Sequence, residues 1–90
     1  MKTQPFYYVS TVYEDDEHTI LHHVDGVTLF SDKSDAVALF DNIVNSEKSY
    51  YAMAPNIFSF KQRTDDVCEV WQRNTRLLRT ILISTMLAKV

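Results

Sequence analysis

The stretch Asn74-Thr75-Arg76-Leu77-Leu78-Arg79-Thr80-Ile81-Leu82-Ile83-Ser84-Thr85-Met86-Leu87-Ala88-Lys89-Val90 decides the fold of this chain, because it reads two ways. Leu77, Leu78, Ile81, Leu82 and Met86 recur at helical spacing, with Asn74 placed to cap the first turn. Against that, Thr80 to Thr85 is β-branched enough for a strand. The apolar residues come in adjacent pairs and do not alternate, so the expectation is a C-terminal helix. Leu77, Leu78, Ile81, Leu82, Ile83, Met86, Leu87 and Val90 would cover most of its circumference. A helix apolar nearly all round must be buried on more than one side. A small sheet covers one side only. The other side predicts a protein partner, or a homodimer through this C-terminal segment, since two-fold dimers are the commonest assemblies.

Upstream, Ser31-Asp32-Lys33-Ser34-Asp35-Ala36-Val37-Ala38-Leu39-Phe40-Asp41-Asn42-Ile43-Val44 reads one way only. Ser31 is the expected N-cap, and Asp32 and Asp35 suit the positive end of the helix dipole. Ala36, Val37, Leu39, Phe40, Ile43 and Val44 make one broad apolar face for packing on a sheet. Asn45-Ser46 ends the pattern, so the helix is expected over 32–46.

Around that helix the strands follow from composition. Residues 6–13 are aromatic and β-branched, and Glu14-Asp15-Asp16-Glu17 interrupts them as a solvated turn. Residues 18–24 read as a second strand closed by Asp25-Gly26, with Val27 to Phe30 as an extended lead-in. Residues 49–56 read as strand or loop, broken at Pro55. Residues 57–63 and 67–73 form a hairpin about the Thr64-Asp65-Asp66 turn. The expected fold is α+β over a single domain, residues 1–90. An antiparallel sheet of about four strands in ββαββα order carries one helix on a face, with the C-terminal helix as the second.

Composition narrows the function. Hydrophobic residues at 46% and charged residues at 23% describe a globular chain. Gly26 is the single glycine, which argues against phosphate-cradling loops and dinucleotide fingerprints, so no nucleotide cofactor is expected. One cysteine, Cys68, excludes a disulfide framework and fits a reducing compartment. The start lacks an apolar signal region, and the C-terminal run is too short and too polar to span a bilayer. These features predict a cytoplasmic protein with no membrane partner.

No group of residues reads as a catalytic constellation. His18, His22 and His23 lie near Asp15, Asp16, Glu17 and Asp25, and imidazole with carboxylate is ligand chemistry for zinc. Their spacing matches no established metal motif, and solvent-facing histidines explain them as well. Cys68 could act as a nucleophile, but between Val67 and Val70 it reads as a core residue. Asp15, Asp16, Asp65 and Asp66 lie in turns, where acids are ordinary turn formers. No metal and no enzymatic activity are expected.

Charge is distributed unevenly. Residues 1–60 hold nine acids and three lysines, and residues 61–90 hold six basic residues and three acids. The balances of −6 and +3 sum to the net −3. Arg63, Arg73, Arg76 and Arg79 are all the arginines of the chain. They can neutralise acids of the first half, anchor a protein interface, or contact phosphates. The leading expectation is a small non-enzymatic protein-binding module acting by stoichiometric contact. Its size and acidity are analogous to virus- or mobile-element-encoded inhibitors of host machinery, anti-CRISPR-like antagonists among them. The expected partner-binding residues are Tyr13, Glu14, Asp15, Asp16 and Glu17 at the acidic end, with Arg73, Arg76, Arg79, Ile83 and Met86 from the tail. The alternative is a nucleic-acid-binding regulator using the C-terminal arginines, against which the overall acidity counts.

Overall fold

The computed structural model describes residues 2–14, 17–54 and 56–89, with the backbone alone at 26–28. Its first hairpin joins β1 (Thr3–Glu14) to β2 (Ile20–Phe30). Helix α1 (Lys33–Tyr51) follows, then a meander of β3 (Phe58–Thr64), β4 (Val67–Gln72) and β5 (Arg76–Lys89). These five strands make one sheet in the order β2-β1-β5-β4-β3, with every neighbour antiparallel.

The C-terminal segment is therefore a strand, and the expected second helix does not form. The order is ββαβββ, and the sheet has one strand more than expected. The reason lies in where β5 sits. It is the middle strand, hydrogen-bonded to β1 on one side and to β4 on the other. Ile81 and Ile83 project onto the helix-covered face, where they are 0% and 9% exposed. Thr80, Leu82, Ser84 and Met86 project onto the other face, across from Val12, Ser10, Tyr8 and Phe6. A strand lined by apolar residues on both faces reads as a continuous apolar run, and periodicity cannot separate it from a buried helix. Thr80, Ile81, Ile83 and Thr85 supply the β-branched character that suits the sheet.

Three smaller boundaries also shift. Asp25-Gly26 lies inside β2, not at its end. There the ladder slips, so that the step from Tyr7 to Val9 in β1 faces the step from Phe30 to Asp25 in β2. The N-cap of α1 is Asp32, one residue beyond the expected Ser31. Its carboxylate accepts from the Ser34 backbone N–H at 3.0 Å and from the Ser34 hydroxyl at 2.9 Å. That pair of bonds holds the Asp32 carboxyl below the usual range, the backbone donor contributing most. Finally, α1 runs past Ser46 to Tyr51, because Glu47 and Tyr51 find partners on the sheet. Pro5 fits within β1 since β2 ends opposite Tyr7, leaving β1 one-sided there.

The core lies between α1 and one face of the sheet. Ala36, Phe40 and Val44 descend from the helix onto Val9, Ile81, Ile83 and Cys68. Tyr7, Phe30, Val37, Leu39, Ile43 and Phe60 close its margins. Cys68 is 1% exposed, and burial pushes its thiol above the ordinary value. A 2.9 Å ion pair between Lys33 and Asp66 ties the start of α1 to the β3–β4 turn. The opposite face of the sheet carries no helix among the described residues.

Candidate functional site

Antiparallel pairing brings the two ends of the chain's charge distribution together. β1 ends where β5 begins, since Tyr13 stands opposite Arg79. The β1–β2 turn and the β4–β5 turn therefore share one end of the sheet. Helix α1 also finishes there: Tyr51 stacks on Phe58 with ring centroids 4.3 Å apart and touches Tyr50 edge-on at 4.9 Å. The Arg73 N–H donates to the Ile57 carbonyl, fixing the β4–β5 turn to the segment that follows the helix.

Arg79 is the hub of this end. Its Nη1 donates to Glu47 Oε1 at 2.8 Å, and its guanidinium carbon lies 5.8 Å from the Tyr13 ring centroid. The pair links helix to sheet and is half-buried. Several concavities open at this end of the sheet. A cleft of about 340 Å³ is lined by Thr11, Tyr13, His23, Asp25, Ile43, Glu47 and Arg79. In it, the Thr11 hydroxyl donates to Asp25 Oδ2 at 2.7 Å, while His23 Nε2 stands 3.8 Å from Asp25 Oδ1, wider than a hydrogen bond. A second, open hollow of about 720 Å³ is lined by Tyr50, Tyr51, Met53, Ala54, Phe58 and Leu78, with Ser49 and Gln72 at its rim. Burial pushes the Tyr51 phenol above its ordinary value, and Arg79 pulls the other way. Tyr50 and Met53 are 76% and 94% exposed, so two large side chains stand at the mouth of the hollow.

The β4–β5 turn holds Arg73 and Asn74 with positive φ, 53° and 58°. Asn tolerates that region, whereas a side chain such as arginine's is at a cost there. At the β1–β2 turn, His18 also has positive φ, 64°, and its Nδ1 lies 2.8 Å from Glu14 Oε1.

Of the residues expected from sequence, Tyr13, Glu14, Glu17, Arg73, Arg76 and Arg79 gather at this end. Asp15 and Asp16 lie outside the described residues. Ile83 does not belong to a surface: it faces Val9 in the core. Met86 lies far along β5 on the uncovered face, opposite Phe6, and is 40% exposed. The four arginines do not form one patch. Arg63 sits toward the other end of β3 and bonds Glu69, and Arg79 is taken by Glu47. Arg73 and Arg76 have no ion-pair partner among the described residues. The three histidines separate as well: His18 is in the turn, and His22 and His23 point to opposite faces of β2. Among the described residues, no three His, Cys, Asp or Glu side chains stand close enough to hold an ion.

Thr11, Asp25, Glu47, Tyr50, Tyr51 and Met53 are site residues that the sequence reading missed. The signal for Glu47 and Tyr51 was present. Continuing the helix period past Ser46 puts Glu47 and Tyr51 on the face of Phe40 and Val44. Chemically this end offers aromatic faces, a thioether, a braced guanidinium, two open guanidinium groups and, in the cleft, an imidazole and two carboxylates. Comparison of the chain with protein-family models, with curated proteins and with solved structures finds no match. No helix among the described residues is long and apolar enough to cross a membrane.

Proposed function

We propose that this chain is a protein-binding module that works by stoichiometric contact through the end built from the α1 C-terminus and the two turns. One observation carries the reading. The concave surface of the molecule gathers there, around Tyr13, Tyr50, Tyr51, Met53 and Arg79. Tyrosine, methionine and arginine are the residue types enriched in interface cores, because each presents large contact area with a polar tip or a soft, adaptable stem. The partner's chemistry follows from the lining. An apolar or aromatic side chain enters the hollow between Tyr51, Phe58 and Leu78, and carboxylates beside it meet Arg73 and Arg76. Contact of this kind occupies a partner's surface without turnover, which is how a stoichiometric inhibitor of a host protein machine acts.

The test is capture from the source cell followed by calorimetry with the purified partner. One-to-one binding that Arg73→Glu with Arg76→Glu weakens by roughly 100-fold is expected, since like charges across an interface cost several kcal/mol. Tyr50→Ala should weaken it too, as loss of a central aromatic does. If neither variant changes the affinity, this end is not the docking surface. Retention on a DNA column that falls steeply with salt, and is lost in the same arginine variant, favours the nucleic-acid reading instead.

A further inference from the structure

Three concavities form a row along the end of α1. The cleft beside Asp25 and a middle hollow of about 280 Å³ share Glu47 and Arg79 as walls. That middle hollow and the larger aromatic one share Tyr50 and Tyr51. Their lining advances along the chain from Ile43 and Glu47, through Ser46 and Tyr50, to Tyr51 and Met53. At ~1.5 Å of rise per residue, the two ends of the row lie roughly 10 Å apart. Resting on the docking end described above, we propose that this row holds an extended, polyproline-II-like segment of the protein partner. A basic side chain of that segment enters the Asp25 cleft, and an apolar one enters the aromatic hollow.

Charge selects the basic end. The side chains of Asp25 and Glu47 are 20% and 18% exposed, and against these two carboxylates the cleft holds one permanent cation, Arg79. Asp25 Oδ2 accepts from the Thr11 hydroxyl, while Asp25 Oδ1 stands 3.8 Å from His23 Nε2, beyond a hydrogen bond. Glu47 Oε1 accepts from Arg79. Each carboxylate thus keeps an oxygen for a further donor. An ammonium or guanidinium supplies that donor and the missing positive charge, while its aliphatic stem lies on Ile43 and the Tyr13 ring. Spacing and lining select the backbone form. Three residues of polyproline II rise about 9 Å and bring side chain i+3 back to the side of i, which matches the row. A β-strand turns residue i+3 to the opposite face. Aromatic-lined grooves take polyproline-II segments because the segment is already ordered. Here Tyr51 and Phe58 supply the aromatic walls, and exposed Tyr50 stands between the middle hollow and the aromatic one.

Selection of phage-displayed random peptides on the full chain gives the test, followed by calorimetry and amide NMR mapping with a synthetic copy of the selected peptide. The expected consensus is a lysine or arginine separated by two residues from a proline, leucine or aromatic, in either direction. Its binding should shift the amide signals of Asp25, Glu47, Tyr51 and Phe58. Asp25→Asn with Glu47→Gln should weaken it by roughly 10-fold, the loss of a charge-assisted hydrogen bond. Alanine in place of the peptide's basic residue should cost as much in the unaltered chain and little more in that double variant. Asp35→Asn with Asp41→Asn, exposed acids of α1 outside the row, should leave the affinity unchanged. Should the Asp25 and Glu47 variant fail to fold, the alanine peptide decides, and an undiminished affinity overturns the proposal. Peptides that dock in the row without a basic residue, or with the seven-residue spacing of a helix, overturn it and leave the docking end standing. Enrichment of no peptide overturns it too, while partner capture that depends on Arg73 and Arg76 still upholds the docking end. Amide shifts confined to another surface overturn both.

Discussion

Ser10 and Thr11 are neighbours on β1 with buried hydroxyl groups, and they should respond to mutation with opposite signs. Ser10 faces the uncovered side of the sheet, walled in by Tyr8 and Val12 along its own strand and by Leu82 and Val24 across it. It is 0% exposed, and its Oγ has no hydrogen-bond partner among the described residues. A buried hydroxyl left unpaired costs about 1–3 kcal/mol by mutational measure. Ser10→Ala removes that oxygen and leaves a void of only one atom. The expected result is a gain of about 1 kcal/mol, or roughly 4–8 °C in Tm for a domain of this size. Thr11 points the other way, is 7% exposed, and donates to Asp25 at 2.7 Å. Thr11→Val keeps the shape and deletes the donor to a mostly buried carboxylate. Its expected cost is about 1.5–3 kcal/mol, the range for bonds to charged groups. Urea titrations followed by Trp71 fluorescence and far-ultraviolet circular dichroism measure both, at fixed protein concentration because association would shift the midpoint. A loss above about 0.5 kcal/mol in Ser10→Ala would refute the reasoning, since it would mean the Ser10 hydroxyl is bonded in solution.

Other predictions concern the turn, the pH limits and the thiol. Arg73→Gly relieves a positive φ and should stabilise the chain by about 1 kcal/mol in the same titration, whatever it does to partner binding. The Arg63 bond, and then the Trp71 indole, hold the Glu69 carboxyl below its ordinary value. A lowered folded pKa contributes stability that is present above the unfolded value, near pH 4, and lost as pH falls through the folded one. Glu69→Gln should therefore flatten the acid limb of a Tm-against-pH curve, and an unchanged limb would contradict the assignment. Cys68 should resist a thiol-specific disulfide reagent in the native state and react at the rate of opening, because its thiol is buried and its pKa raised. Rapid labelling of native protein would place Cys68 on the surface instead.

The parts of the fold legible in the sequence are those with local causes. The tyrosines and valines of residues 6–13 mark β1, and the Thr64-Asp65-Asp66 turn marks the β3–β4 hairpin. The apolar stripe from Ala36 to Val44 marks α1. The tail reads as a helix because its decisive property, membership of the middle of a sheet, is non-local. The adjacent pairs Leu77-Leu78 and Ile81-Leu82 look helical alone. They read as a central strand only once β1 and β4 flank them. The same holds for the site. Tyr13 and Arg79 could be singled out as residue types, but their contact exists only through the β1–β5 register. Arg79 finds its carboxylate on Glu47, in the part of α1 beyond the expected boundary. Thr11 and Asp25 meet because β1 and β2 pair, which no spacing along the chain reveals.

The measurement closest to the central claim is site-specific photo-crosslinking in a lysate of the source cell. A benzophenone amino acid replaces Tyr50 at the docking end or, as control, Ala38, exposed in the first half of α1. The account predicts one dominant protein adduct from position 50, none from position 38, and loss of the adduct when Arg73→Glu and Arg76→Glu are added. Equal adducts from both positions, or an adduct indifferent to the two arginines, would contradict it.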